Sequence, residues 1–188
     1  MGGVTVNILQ IILILLAAFL AVFWEAAFPA TSRWLNAQVD LLPALMVYAS
    51  LRIGLPAIAL LAVCGGLFLD SLSANPLGVS ILPLFVVGLA LYWRRDLILR
   101  DQPYAQFVLG LGASATVPLL TVLLLLTVGY EPLLGWGSLW QWLVLGAGGA
   151  IATPLLFLLF GWSERALGND QISETSFRED REIRRGRS

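Results

Sequence analysis

Five stretches of this chain hold no charged side chain at all: residues 1–24, 53–69, 71–93, 102–130 and 132–163. Runs of that length constrain the fold more than any other feature. A hydrocarbon layer about 30 Å thick takes about 20 residues of helix to cross, and only a helix or a closed barrel satisfies its backbone groups there. Composition agrees: 59% of the residues are apolar and 12% are charged, against roughly 25% charged in a water-soluble globule. The chain cannot wet a surface of its own size, and the sequence reads as an all-α, polytopic membrane protein.

Six helices account best for the pattern. The first runs from Asn7 to Phe28, with Glu25 near its end. Arg52, Gly54 and Pro56 break the next stretch into two short helices, roughly Trp34–Leu51 and Leu55–Leu69; merging them would leave five spans. The fourth runs from Leu77 to Trp93, the fifth from about Tyr104 to Val128, and the sixth from about Leu139 to Trp162. The first run reads as a retained helix rather than a secretory leader. It has no arginine or lysine before it, and its apolar core exceeds the usual ~7–15 residues.

The arginines orient these spans, because basic loops stay on the cytoplasmic side. With six spans, ten of the eleven arginines fall on the side of the two termini and only Arg33 on the other. Setting aside the five most distal tail arginines leaves five against one. Both termini are therefore expected in the cytoplasm. Glu25, Asp40, Asp70 and Glu131 then gather at the outer side, with Trp24, Trp34, Trp136, Trp140 and Trp142 at the same boundary.

Absences remove whole chemistries. There is no histidine and no lysine, and Cys64 is alone. His-based triads and metal sites, Schiff-base lysines, intrachain disulfides and multi-cysteine metal sites are excluded. No motif gathers the remaining Asp, Glu, Arg and Ser residues into a reactive set, so no enzymatic activity, cofactor, metal or nucleic-acid partner is expected.

The densest motif is Cys64-Gly-Gly-Leu-Phe-Leu-Asp70-Ser-Leu-Ser-Ala-Asn-Pro-Leu-Gly78. Ala62, Gly66 and Asp70 are four apart and share one helix face, on which small residues let another helix approach. Ser71, Ser73, Asn75, Pro76 and Gly78 supply turn chemistry, and Gly78 is expected to open the fourth helix. An ionisable group at a helix end within a bundle is costly and is often functional. Asp40 and Asp70 are the strongest such candidates, weighed against simple capping.

This string resembles the signature of the MreD family, rod-shape-determining membrane proteins of bacteria. The resemblance rests on Asp40-Leu-Leu-Pro43, Gly65/Gly66, Asp70-Ser-Leu, Pro76-Leu-Gly78, the arginine pair Arg94-Arg95, residues Trp24–Pro29, and Pro154-Leu-Leu-Phe157. It covers residues 7–165. Two departures stand out: Pro43 follows Asp40 where the family more often has a proline before it, and the tail is longer and more charged. The resemblance implies a non-enzymatic subunit that binds the bitopic protein MreC, and through it links the MreB filament to the peptidoglycan-elongation enzymes. It also implies a compact bundle resembling the S-components of energy-coupling-factor transporters, in the bacterial inner membrane. A substrate-binding subunit of a small-molecule (vitamin) transporter is the alternative. Against it, the outer loops are short and carry few hydrogen-bonding side chains.

Other small residues recur at four-residue spacing: Ala17/Ala21, Gly110/Ser114, Gly146/Ala150, Gly148/Ala152 and Gly149/Thr153, followed by an expected kink at Pro154. Intramolecular packing explains them, and a groove for a partner's helix on the sixth span is the alternative. Residues 1–166 form the bundle on this reading. The segment 167–188 is a charged cytoplasmic tail, too poor in large apolar residues to bury a core and expected to be disordered, with Arg178–Arg187 as a candidate surface helix facing anionic lipid or an acidic cytoplasmic partner.

Overall fold

The structure is a computed structural model, and it describes residues 8–27, 40–73, 76–95, 98, 102–130 and 135–166. Six α-helices make up the described chain: α1 Ile8–Ala27, α2 Leu42–Tyr48, α3 Leu55–Leu72, α4 Ile81–Arg94, α5 Pro103–Val128 and α6 Trp136–Ala166. No strand occurs among the described residues. Arg33, Trp34, Asn75, Glu131 and the tail 167–188 lie outside them.

Helix α2 is the hub. All seven of its residues are buried, and it packs against each of the other five helices. Its sequence, Leu-Pro-Ala-Leu-Met-Val-Tyr, is apolar on every face, which is what a helix enclosed on all sides requires. It continues into a π-helical turn, Ala49–Ile53. Gly54 then turns the chain back with φ +132°, a backbone conformation that a Cβ would strain. The expected break at Arg52, Gly54 and Pro56 therefore lies where the sequence places it, and it separates α2 from α3. A Cβ built on Gly65 would come within 3.0 Å of Leu42, so the start of α2 lies beside the late part of α3 and the two run antiparallel.

Around this hub, α1 packs on α3, α3 on α4, and α5 on α6. The α5/α6 seam is held by the small residues singled out above: a Cβ on Gly110 would strike Thr153 and the Gly149 carbonyl, and one on Gly149 would strike Ser114. Small residues there let the two backbones touch. This face of α6 is filled by α5, so Gly149 offers no groove to an outside helix. Gly146 is buried, yet nothing lies within 4 Å of where its Cβ would be; its expected role in close packing does not hold. Helix α6 also continues through Pro154 to Ala166.

Among the described residues, three helices are long and apolar enough to cross a membrane: Leu55–Leu72, Pro103–Val128 and Trp136–Trp162. The apolar segments Gln10–Glu25, Leu42–Ile53 and Ile81–Arg94 are shorter. Helix α4 starts four residues later than Leu77 because Gly78 adopts φ +94° within a turn. That glycine precedes the helix rather than opening it. At 14 residues, α4 rises about 21 Å, less than the apolar layer's thickness. Apolar surface is abundant outside the core: Phe19, Leu123, Leu143, Leu158 and Trp162 are among the many large apolar side chains that are exposed.

The bundle is polarised. At one end Tyr48 stacks on Phe160 (4.6 Å between ring centres) and meets Phe157 edge-on (5.1 Å). Arg52 lies over Phe157, Gly54 faces Tyr92, and Arg95 lies 4.3 Å over the Tyr92 ring. Arginines thus collect where α2, α4 and α6 finish. The opposite end collects the acids.

Candidate functional site

At the acidic end, the chain between α3 and α4 is organised by one side chain. Asp70 is 2% exposed. Its Oδ2 accepts hydrogen bonds from the backbone N–H of Gly78 (2.7 Å) and of Ser80 (3.1 Å), and its Oδ1 accepts from the Ser80 hydroxyl (2.5 Å). A carboxylate receiving three donors is satisfied without water, which is the condition for burying it. The Gly78 carbonyl in turn accepts from Ile81 N–H, and the Pro76 carbonyl from Val79 N–H. Directly behind, Gly66 lets α4 begin against α3: its absent Cβ would sit 3.0 Å from the backbone N and Cα of Ile81. Ala62 is fully buried on the same face.

Gly66, Asp70, Pro76 and Gly78 are therefore parts of one clip. Ser80, its key donor, was not apparent from the sequence; its position two residues beyond Gly78, just before an apolar run, is the helix-start signal that points to it. Asp40 plays the related part at α2, accepting from the N–H of Leu42 at 2.8 Å. Its carboxylate satisfies one of the orphan donors of the helix start. Both aspartates act on their own chain.

Beside the clip lies a cavity of about 280 Å³. Its walls come from the ends of all six helices: Glu25 of α1, Asp40 and Pro43 at α2, Leu69 and Ser73 at the end of α3, and Ser80 before α4. The remaining wall is a stripe from each long helix. Ser114, Val117, Pro118, Thr121, Val122 and Leu125 line it from α5, and Ser138, Gln141, Trp142 and Leu145 from α6. These recur at three- and four-residue spacing, which puts each set on one helix face. That periodicity of hydroxyl and amide groups inside apolar spans is the signal by which sequence reasoning could have found the cavity.

Its electrostatics are one-sided. Glu25 lies within electrostatic reach of Asp40, and the described lining residues include no arginine. Ser114 is 1% exposed, and its hydroxyl has no hydrogen-bond partner. Among the described residues no three His, Cys, Asp or Glu side chains gather as metal ligands do. The cavity combines carboxyl, hydroxyl and amide groups with a partly apolar floor. Gly146 and Pro154 do not line it.

No protein-family model, no curated protein and no solved structure matches this chain.

Proposed function

We propose that the chain is a non-enzymatic membrane subunit of the bacterial cell-elongation complex, of the MreD kind, which binds MreC and through it couples the MreB filament to the wall synthases. One observation carries this reading. The residues behind the resemblance, Gly66, Asp70, Pro76 and Gly78, lie scattered along 13 positions of sequence yet form a single clip between α3 and α4.

In this reading all six helices cross the inner membrane, the shorter ones helped by tilt and by local thinning of the bilayer. Both termini are cytoplasmic. The gathering of Arg52 and Arg95 at one end and of Glu25, Asp40 and Asp70 at the other supports that orientation. The test is purification of the tagged chain from bacterial membranes: MreC is expected to come with it, and its absence, with intact protein in hand, refutes the proposal.

The transporter reading has the cavity in its favour, since a substrate-binding subunit needs a concave, partly polar pocket. Recovery of an ATPase pair instead of MreC in the same purification would select it.

A further inference from the structure

We propose that the arginine-bearing end of the bundle, where Arg52 and Arg95 are held over aromatic rings of α6 and α4, is a docking surface for the phosphate headgroup of an anionic phospholipid. This rests on the membrane setting of the chain and not on the proposed partnership with MreC.

Charge, geometry and depth converge on that partner. Arg52 is exposed although Leu51 and Ile53 on either side of it are buried, so the π-helical turn Ala49–Ile53 presents it outward from the end of the hub. Its guanidinium lies 5.9 Å over the Phe157 ring, and that of Arg95 lies 4.3 Å over the Tyr92 ring. Gly54, two residues after Arg52, has Tyr92 beside it, which brings the two arginines to one surface, and Arg94 is exposed next to Arg95. A guanidinium held on a ring is partly ordered in advance, and its planar fork of N–H donors matches a phosphate bidentately. The acids whose surroundings are described, Glu25, Asp40 and Asp70, belong to the opposite end. The loop after α4 adds Arg100 together with Asp96 and Asp101, which lie outside the described residues. Depth selects a lipid over a soluble anion. Trp93, Tyr104 and Trp162 stand at the same end of α4, α5 and α6 and are strongly exposed, and such side chains of a membrane bundle sit at headgroup level. A phospholipid meets both the arginines and this aromatic belt, whereas a free phosphate meets only the arginines.

The test is thermal unfolding of the full chain in a mild detergent, followed by tryptophan fluorescence, with short-chain phosphatidylglycerol or phosphatidylcholine added. Phosphatidylglycerol is expected to raise the midpoint saturably, because a ligand of the folded state alone stabilises it. Phosphatidylcholine of equal chain length should leave the midpoint nearly unchanged. Arg52→Gln and Arg95→Gln should each weaken the apparent affinity for phosphatidylglycerol about fivefold, the usual weight of one basic residue at an anionic surface. Removal of residues 170–188, which takes away five arginines of the tail, should leave that affinity intact and so separates this surface from the tail. Size-exclusion profiles check the fold of each variant, and the comparison of the two lipids on the parent chain stays decisive even if both arginine variants misfold. Equal shifts from the two lipids, an equal shift from inorganic phosphate, a phosphatidylglycerol effect lost with the tail, or unchanged affinity in a folded arginine variant overturns the proposal.

Discussion

Replacing Asp70 with alanine removes the acceptor of three donors at once: Gly78 N–H, Ser80 N–H and the Ser80 hydroxyl. Hydrogen bonds to a charged group contribute about 1.5–3 kcal/mol each in soluble proteins, while neutral ones inside a membrane bundle average about 0.6 kcal/mol. Taking roughly 1–1.5 kcal/mol for each bond of a buried carboxylate between those limits, Asp70→Ala should cost about 3–4 kcal/mol. Ser80→Ala leaves both backbone bonds in place and should cost about 1–2 kcal/mol. Because Ser80 loses its partner in either case, the double variant should be less destabilised than the sum of the two by about 1 kcal/mol. The assay is equilibrium unfolding in mixed micelles, with detergent composition as the denaturant and tryptophan fluorescence as the readout. An Asp70→Ala protein within about 0.5 kcal/mol of the parent, or strict additivity with Ser80→Ala, refutes the clip. The same variants report on partnership. If the carboxylate acts only by holding the turn, MreC binding should fall in step with stability and recover in conditions that restore the fold.

Three further substitutions probe close packing. Gly66→Leu forces a side chain into the backbone of Ile81, 3.0 Å from its Cβ position; overpacking of this kind costs typically 1–3 kcal/mol, and a parent-like unfolding midpoint would contradict the contact. Gly149→Ala should separate α5 from α6, because its Cβ meets Ser114 and the Gly110 carbonyl, with a loss of about 2 kcal/mol or more in the same assay. Gly112→Ala is the matched control on α5: nothing lies within 4 Å of its Cβ position, and the change should stabilise the helix by about 0.5–1 kcal/mol through backbone entropy. If Gly149→Ala and Gly112→Ala behaved alike, the seam would not be where Gly110 and Gly149 place it.

What the sequence made legible follows from the range of the forces involved. Uncharged runs specify helices locally, so α3, α5 and α6 lie close to where hydropathy puts them. The break before Leu55 could be read because Gly54 and Pro56 act on their own backbone. Gly78 misled because a glycine's neighbourhood decides its use. The same residue opens a helix or precedes one, and here a carboxylate eight positions earlier captures its N–H and delays the helix to Ile81. Gly146 and Gly149 show the same limit. They sit three apart on one helix and look alike in sequence, yet only Gly149 meets another backbone, because contact depends on the azimuth at which α5 crosses α6. The cavity was least visible of all. Glu25, Ser114 and Trp142 come from three helices separated by more than a hundred residues, and none of them has a local reason to be there. Each helix shows only one or two polar positions on an apolar face, a pattern that also fits a side chain reaching for the interface. Their meaning lies in convergence: all six helices contribute to the acidic end, and the polar groups that each could bury alone only at a cost share one half-open cleft.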